Sequence, residues 1–345
     1  MTVQPPPPMT FITASQVAEQ IEGHRPECAD VVRRAYLAHD AGDSSNPHSS
    51  FLRFPDEPRN RIIALPARLG GEFGLSGIKW IASYPENTRR GIPRASAVLI
   101  LNDAATGFPY VCMEASLISA TRTAASAVVA AEELLGGRSA QRVGFVGTGL
   151  IAGHVRRFLR DLGWRIGGYR LFDLDAGAAG RFARDLADDG AGDVRVTDGV
   201  RGAFAGCDLV VLATVAGEPH LHDPALLAHA PVVLHLSLRD LAPGLILRSQ
   251  NLTDDPGHAV RERTSLHLAA EQAGHRAFLH GTIADLLRGR AERDAGRASV
   301  FSPFGLGILD LAVGGWVHDR LAAAGGSRPV AGFFPAPAHS GAAAW

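Results

Sequence analysis

The sequence predicts an α/β protein of two domains, in which a mainly β module precedes a doubly wound parallel sheet. Short strand-like runs divided by Gly and Pro fill residues 51–113. Small and apolar residues then recur at helical spacing from Ser116 to Leu135 and stop at Gly136-Gly137. From Arg142 onward, strand-like and helix-like runs alternate. This alternation is typical of a parallel sheet covered by helices.

Composition limits the class of protein. The chain has 345 residues, of which 46% are hydrophobic and 20% charged, so it is long enough for two globular domains. Its net charge of -1 provides no field that would attract nucleic acid or an anionic membrane, and we expect neither partner. Three widely spaced cysteines fit neither a disulfide framework nor a zinc site, which favours a reducing cytoplasm. No export signal or membrane span is expected, because no apolar run approaches about 18 residues.

The elements follow in chain order. Pro5 to Pro8 predict an extended lead-in, and a helix is expected from about Ala14. The strands of the first module are "RIIALPARL", "LSGIKWIASY", "ASAVLILND" and "FPYVCMEAS". The alternating part contains "RVGFV", "HVRRFLRDLG", "GYRLFDL", "AGRFARDLADDG", "CDLVVLAT" and "PVVLHLSL". The helix over Ser116–Leu135 is expected to connect the two modules.

A glycine motif opens the second module. In "RVGFVGTGLIAG", Gly147, Gly149 and Ala152 form G-x-G-x-x-A directly between a predicted strand and a predicted helix. The glycines permit a tight turn and close approach to a pyrophosphate, and the helix N-terminus faces the anion. A ligand-free turn is the alternative for an isolated motif. The context favours a Rossmann-type dinucleotide-binding domain, with cofactor contacts from Gly147, Thr148, Gly149, Leu150 and Ile151.

Acidic and polar residues at strand ends refine the cofactor prediction. Asp173 ends the second strand, 21 residues after Ala152, where a carboxylate binds the adenine ribose. No arginine directly follows it, which favours NAD over NADP. Asp175 is an alternative for the same role, and Arg170 leaves the choice of cofactor partly open. Thr214 either meets the cofactor or caps the end of a strand.

Basic residues within apolar surroundings form a second set of candidates. They are Arg53, Lys79, Arg94 and Arg122. Each one alone is consistent with a surface side chain whose stem is buried. Together they indicate a carboxylate-binding site, since arginine can bind a carboxylate through two hydrogen bonds.

Histidines are weaker candidates. His220 and His222 have metal-like spacing for a strand, but no third ligand is evident, so we expect no metal site. His235, within an apolar strand, is interpreted as a hydrogen-bonded core residue. The sequence contains no recognisable nucleophile triad or Walker motif.

Long segments carry a family resemblance. "GIKWIASYPENTRRGIPRASAVLILNDAATGFPYVCMEASLISATRTAASAVVAAEEL", followed by "VGFVGTGLIA", resembles the ornithine cyclodeaminase/mu-crystallin family. "RIIALPA", "RASAVLILND", "LHLSLRDLAP" and "DDPGHAVRERTS" are most similar to the branch that makes 2,3-diaminopropionate for siderophores and peptide antibiotics.

The resemblance implies an architecture. An α+β domain for substrate binding and dimerisation would comprise residues 1–125 with 305–345. Its C-terminal helix, in "FGLGILDLAVGGWVHDRLAAAG", would return to the first module. A Rossmann-type NAD-binding domain would occupy residues 126–304, and the protein would be a homodimer.

The resemblance also implies roles for individual residues. The family's substrate-carboxylate groups fall on Arg53, Lys79 and Arg122, and the charge of the implied substrate adds Arg94 and Arg239. Asp240 matches the catalytic aspartate near the nicotinamide, and Lys79 would orient the substrate and water. Asn87 and Thr88 match an element near the cofactor.

The implied substrate is N-[(2S)-2-amino-2-carboxyethyl]-L-glutamate, which has three carboxylates. NAD+ would accept a hydride, and hydrolysis of the imine would release 2-oxoglutarate and 2,3-diaminopropionate, with Asp240 as general acid and base. Ile63-Ala64-Leu65-Pro66 lacks the acid that cyclodeaminases carry there, which disfavours ornithine. The alternatives are cyclodeamination, amino-acid dehydrogenation, ketimine reduction, or a non-catalytic protein that binds a nucleotide and a small ligand.

Overall fold

The protein divides into two compact units. The structure, a computed structural model, describes residues 6–335. Within the described residues, unit 1 comprises 6–24, 38–119 and 307–335, and unit 2 comprises 25–37 and 120–306. The units therefore divide at 119/120 and 306/307, where boundaries at 125/126 and 304/305 were predicted, and residues 25–37 belong to unit 2. Residues 1–5 and 336–345 of the expected first domain lie outside the described residues.

A mixed sheet forms the base of unit 1. Within residues 6–335 it has eight strands: β1 (Met9–Ile12), β2 (Ser44–Ser45), β3 (Ser50–Arg53), β4 (Arg61–Leu69), β5 (Leu75–Ser83), β6 (Ala95–Asn102), β7 (Pro109–Glu114) and β18 (Pro329–Val330). Their order is β18-β1-β7-β6-β5-β4-β2, and β3 also pairs with β4. β1 and β7 are parallel, and the other pairs are antiparallel. The four strands predicted for this module are confirmed as β4 to β7.

Helices cover one face of this sheet. α1 (Ala14–Ile21) begins at the predicted residue, where Thr13 and Gln16 form a capping box. α11 (Gly307–Ala323) packs on β4, β5 and β6, as the returning helix was expected to do. A side chain at Gly314 would collide with Leu99, because a Cβ there would lie 2.1 Å from its Cδ2 atom. Close contact between α11 and the sheet therefore requires glycine.

Unit 2 contains the predicted doubly wound sheet. In the described residues its strands are β9 (Val143–Val146), β11 (Tyr169–Phe172), β12 (Val194–Val196), β13 (Leu209–Leu212), β14 (Val232–His235), β15 (Gln250–Thr253), β16 (Leu279–Thr282) and β17 (Ser299–Phe301). The order is β12-β11-β9-β13-β14-β17-β15-β16, with every pair parallel. β8 (Ser139–Ala140) and β10 (Arg165–Ile166) form a separate parallel pair. Strands added after β9 lie on both sides of it: β11 and β12 extend the sheet in one direction, and β13 and β14 extend it in the other. Sheets of this kind bind ligands at the position where the strand order reverses.

The remaining helices lie between strands along the chain. They are α2 (Arg25–Asp40), α3 (Ser116–Leu135), α4 (Leu150–Asp161), α5 (Ala176–Asp188), α6 (Val200–Phe204), α7 (Pro243–Arg248), α8 (Pro256–Ala259), α9 (Ser265–Ala273) and α10 (Ile283–Leu287). α3 has the predicted bounds, and Gly136 ends it with φ of 66°. α2 was not predicted. Its start is anchored in unit 2, where buried Arg25 binds Asp161 at 2.5 Å. In the part of the chain that is described, no helix combines the length and apolarity needed to cross a membrane.

Candidate active site

The glycine motif forms a tight turn at the carboxyl end of β9 in unit 2. Gly147 has φ of 83°, and a Cβ there would lie 2.6 Å from the carbonyl oxygen of Ala213. Only glycine fits, because both the dihedral and the space exclude a side chain. α4 begins at Leu150, and its N-cap residue Gly149 offers no side-chain cap. The first N–H groups of α4 thus have no side-chain acceptor at the N-cap, which is the arrangement that suits a phosphate.

Asp173 is bound directly to this turn. Its Oδ2 atom accepts hydrogen bonds from the Thr148 main-chain N–H at 2.7 Å and the Thr148 hydroxyl at 2.9 Å. Asp175 instead caps α5 by accepting from the Gly177 N–H. Arg170 is buried and donates to Asp193 at 3.0 Å. The position beside the turn therefore belongs to Asp173 rather than Asp175, and Arg170 is engaged with another carboxylate.

Apolar side chains are exposed at the same edge of the sheet. Leu150, Leu174 and Val215 follow β9, β11 and β13, and the side chain of Leu174 is 96% exposed. Large apolar side chains in water at the ligand-binding edge suit the faces of a flat ring system. Leu174 and Val215 were not predicted, although their position directly after apolar strand runs was a usable signal.

Asp240 lies in a buried polar cluster of unit 2. Its side chain is 0% exposed. Oδ1 accepts from the Thr214 hydroxyl at 2.5 Å, Oδ2 accepts from the Ser237 hydroxyl, and Nε2 of His235 lies 3.3 Å from Oδ2. Burial acts to raise the pKa of Asp240, but the hydrogen bonds from these three neighbours and the attraction of His235 hold it below its usual value. The carboxylate is therefore ionised at neutral pH and suited to accept a proton.

His235 is the hydrogen-bonded core residue that was predicted. Its Nε2 atom lies 3.1 Å from the main-chain nitrogen of Asp240, and its Nδ1 atom lies 3.1 Å from the Ser302 hydroxyl. His235, Asp240 and Ser302 are all buried. Thr214, proposed as a cofactor contact, directs its hydroxyl to Asp240 and accepts from the Ala216 N–H.

Arg239 binds a neighbouring loop. Its Nη2 atom donates to the main-chain carbonyl of Glu262 at 2.6 Å. Leu238, Glu262 and Arg263 all have positive φ values, of 68°, 54° and 54°. Such backbone is uncommon for non-glycine residues and is often found at functional sites. Arg239 therefore supports the strained loop beside Asp240.

Arg122 lies on α3 and packs against Gly305, a glycine that was not among the predicted site residues. A Cβ on Gly305 would lie 2.5 Å from the Nη1 atom of Arg122, and Gly305 has φ of 93°. The Gly305 N–H donates at 2.6 Å to Asp254, a fully buried carboxylate whose pKa burial raises. Glycine at position 305 is required for this placement of the guanidinium group.

In unit 1, Lys79 forms a buried ion pair. Its side chain is 2% exposed, and its Nζ atom donates to Asp310 at 2.6 Å and to Ser119 at 3.1 Å. Asp310 lies on α11 and is fully buried. The negative charge of Asp310 balances the positive charge of Lys79 and holds its ammonium group in a fixed position. The sequence signal for Asp310 was one acidic residue within the apolar run "FGLGILDLAVGG".

Further basic residues share one end of the unit 1 sheet. The strand register aligns Arg53 with Arg61 and Arg61 with Ser83, and Arg94 donates to the Ser83 hydroxyl at 3.3 Å. Burial lowers the pKa of Arg94. We call Arg53, Arg61 and Arg94 the arginine row. Arg61 was missed because only the strand pairing reveals its neighbours.

Asn87 and Thr88, the other expected cofactor residues of unit 1, lie in a short 3-10 helix over Pro85–Arg90. Asn87 donates to the Pro93 carbonyl at 3.3 Å, and Thr88 donates to the Pro85 carbonyl at 3.0 Å. Both side chains stabilise the local turn. Across residues 6–335, no group of three or more His, Cys, Asp or Glu side chains could hold a metal ion.

The fold and the glycine turn define a dinucleotide-binding α/β protein. The family model for the ornithine cyclodeaminase/mu-crystallin family matches residues 9–325, and the chain belongs to that family. It is 28% identical over 324 residues to N-((2S)-2-amino-2-carboxyethyl)-L-glutamate dehydrogenase of Staphylococcus aureus, which covers 90% of this chain and 95% of the relative.

Solved structures share the whole fold. A Δ1-pyrroline-2-carboxylate reductase of Thermococcus litoralis, in complex with NADH and L-proline, has a TM-score of 0.85 at 22% identity and covers 93% of this chain and 100% of its own. An archaeal alanine dehydrogenase dimer with bound NAD has a TM-score of 0.83 at 23% identity, covering 94% and 99%. The predicted Rossmann-type fold is confirmed, and the expectation of an NAD-dependent oxidoreductase is confirmed at the level of the family.

Proposed function

We propose that the protein binds NAD and oxidises N-[(2S)-2-amino-2-carboxyethyl]-L-glutamate, releasing 2-oxoglutarate and L-2,3-diaminopropionate. The observation that carries this proposal is the arginine row at one end of the unit 1 sheet, whose strand β5 also carries buried Lys79, because a substrate with three carboxylates needs several cations. The match to the staphylococcal dehydrogenase over nine-tenths of the chain supports the same substrate. The diaminopropionate would supply siderophore or peptide-antibiotic assembly.

The reaction releases one proton in each turnover. Bound NAD+ supplies the hydride acceptor. The secondary ammonium of the substrate loses a proton and the glutamate α-carbon loses a hydride, which together leave a C=N bond. Water adds to that carbon, and the C–N bond then breaks to give a ketone and a primary ammonium. The atoms and charges balance when NAD+ becomes NADH and one proton leaves.

The residues divide these tasks. Asp240 is ionised and buried, so it accepts the substrate proton and returns a proton during hydrolysis. Lys79 is fixed by Asp310 and Ser119 and orients a substrate carboxylate. Arg122 and the arginine row bind further carboxylates. Arg239 acts indirectly, through the loop that carries Glu262.

The cofactor preference rests on Asp173. We propose that its carboxylate accepts hydrogen bonds from the adenine ribose while it holds the turn through Thr148. A 2′-phosphate would meet a like charge there, which favours NAD over NADP.

Relative rates on three substrates separate the proposed function from its alternatives. The assay compares N-[(2S)-2-amino-2-carboxyethyl]-L-glutamate, L-alanine and L-ornithine, each with NAD+. We expect NADH to form fastest from the first. Preference for alanine would indicate an amino-acid dehydrogenase, and ammonia from ornithine without net NADH would indicate a cyclodeaminase. Nucleotide binding without any turnover would indicate a binding protein.

We also propose a homodimer formed through the exposed face of the unit 1 sheet. Trp80 and Val98 pair on adjacent strands of the face opposite Lys79 and Leu99, and Trp80 is 43% exposed. Phe11 and Leu52 are exposed apolar residues of the same sheet. Exposed apolar patches of this kind mark association surfaces. The alanine dehydrogenase with the same fold, described as a dimer, supports the proposal.

Replacing Trp80 by Glu is expected to convert the dimer to monomers, because it would bury a charge at the centre of this face. Sedimentation velocity measures the change. Val196→Glu is the matched control, since Val196 is equally exposed but lies on β12 of unit 2. A Trp80→Glu variant that remains dimeric would exclude this face as the interface.

We place the protein in the cytoplasm. All three cysteines are among the described residues and are unbridged. Burial raises the pKa of Cys28 to about 12, which makes its thiol unreactive. Free thiols are consistent with a reducing compartment.

A further inference from the structure

The side chain of Asp240, the proposed base, has no surface exposed to water, yet the proposed reaction releases a proton in every turnover. The Thr214 hydroxyl already donates to Asp240 and accepts from the Ala216 N–H. His235 leads only to Ser302, and both are buried. Protons accepted by Asp240 therefore need another exit.

His220 lies at that exit. Its Nε2 atom is 3.8 Å from Oδ1 of Asp240, and its side chain is 42% exposed. Among the charged or titratable side chains of residues 6–335 within 4 Å of the Asp240 carboxylate, His235 is buried and His220 reaches water.

The main chain holds His220 in this place. The N–H groups of His220 and Leu221 both donate to the Asp240 carbonyl, at 3.0 and 2.9 Å. Leu221 and Leu241 form an isolated parallel bridge. These hydrogen bonds hold the backbone of His220 next to that of Asp240. Rotation of the His220 side chain can therefore change the distance from its Nε2 atom to the Asp240 carboxylate.

We infer that His220 is the proton-relay residue that connects Asp240 with solvent. The inference rests on the proposed function, in which Asp240 accepts the substrate proton. In the relay, protonated Asp240 gives its proton to neutral His220, which regenerates the carboxylate and forms an imidazolium. The imidazolium then loses the proton to water or buffer. The imidazole side chain suits this exchange because one ring nitrogen can accept a proton while the other donates one.

The distance fits a relay that closes during turnover. Direct proton transfer requires about 2.6–3.2 Å between heavy atoms, and catalytic hydrogen bonds are often longer before the substrate binds. A side-chain rotation that shortens the gap by about 1 Å would be sufficient. His222 lies two residues further along the chain and is not among the histidines of residues 6–335 within 4 Å of the Asp240 carboxylate, so it serves as the control.

The test compares His220→Ala with His222→Ala in steady-state turnover at low buffer concentration. We expect His220→Ala to lower kcat by about 100-fold, the lower end of the range for lost acid–base catalysis. Added imidazole should restore turnover in a saturable manner, while KM and NAD affinity stay close to wild type. His222→Ala should keep the wild-type kcat and show no response to imidazole.

Three results would overturn the relay and can be told apart. Wild-type turnover with an unchanged kcat in His220→Ala refutes the relay alone. A second result is a reduced kcat in His220→Ala that imidazole does not restore, together with weaker NAD binding in both His220→Ala and His220→Gln. This result would assign His220 a structural role and would also refute the relay. Absence of wild-type turnover on the proposed substrate refutes the proposed function and the relay together.

Discussion

Replacing Asp240 by Asn is expected to lower kcat by about 1,000-fold, within the usual range for loss of a general acid or base. The amide has nearly the same shape but cannot accept a proton. The two hydroxyls of Thr214 and Ser237 currently donate to the carboxylate and would meet an NH2 group on one side. Stopped-flow measurement of NADH formation reports the effect directly, and NAD affinity should change little because the glycine turn is bound by Asp173 through Thr148.

The control is Asp193→Asn, which removes another carboxylate of unit 2 that binds Arg170 near the surface. It should retain wild-type kcat. An Asp240→Asn variant that keeps more than a tenth of the wild-type rate would remove Asp240 from the proton-transfer steps.

The Asp240 carboxylate also sets the direction in which activity changes with pH. The pKa of Asp240 is held below its usual value in the folded protein, so its base form is present at neutral pH. Activity that depends on this base should fall only as the pH drops through that lowered pKa, which lies below the usual aspartate value of about 4. The stabilisation that these hydrogen bonds provide is present above the unfolded pKa and is lost over the same acidic window.

Replacing Asp173 by Asn is expected to raise the Kd for NAD by about 10- to 100-fold, because a charged hydrogen bond contributes about 1.5–3 kcal/mol. The variant should also discriminate less against NADP, since the like charge facing a 2′-phosphate is gone. Both dissociation constants can be measured by calorimetric titration.

Asp175→Asn is the matched control for this change. Asp175 lies two residues away and caps α5 through Gly177. Its replacement should leave the preference for NAD over NADP unchanged. Unaltered NAD affinity in Asp173→Asn would assign Asp173 to the turn alone and leave the cofactor preference without its proposed cause.

Much of the fold could be predicted from periodicity. The parallel strands of unit 2 are short, continuous apolar runs such as "DLVVLAT", and α3 is a run of small residues ended by Gly136. α2 escaped prediction because its many charged residues leave a weak apolar stripe, and Arg25 is buried only through its pairing with Asp161. That partner is 136 residues away in the chain.

The candidate site could be predicted where a residue type signals its own chemistry. Gly147, Asp173 and Lys79 stand out locally, through a turn, a strand end or a charge in an apolar strand. Asp310 and Gly305 gain meaning only from partners distant in sequence: Asp310 from Lys79, and Gly305 from the guanidinium of Arg122. Sequence patterns carry periodicity and turn chemistry, whereas pairing across elements depends on the fold.

The stoichiometry of one reaction tests the central claim most directly. The purified protein is incubated with N-[(2S)-2-amino-2-carboxyethyl]-L-glutamate and NAD+ in H2(18)O, and NADH, 2-oxoglutarate and 2,3-diaminopropionate are quantified together by absorbance and mass spectrometry. The account predicts equal amounts of the three products, with one solvent oxygen in the ketone of 2-oxoglutarate. NADH without 2,3-diaminopropionate, or turnover of other amino acids in place of this substrate, would contradict it.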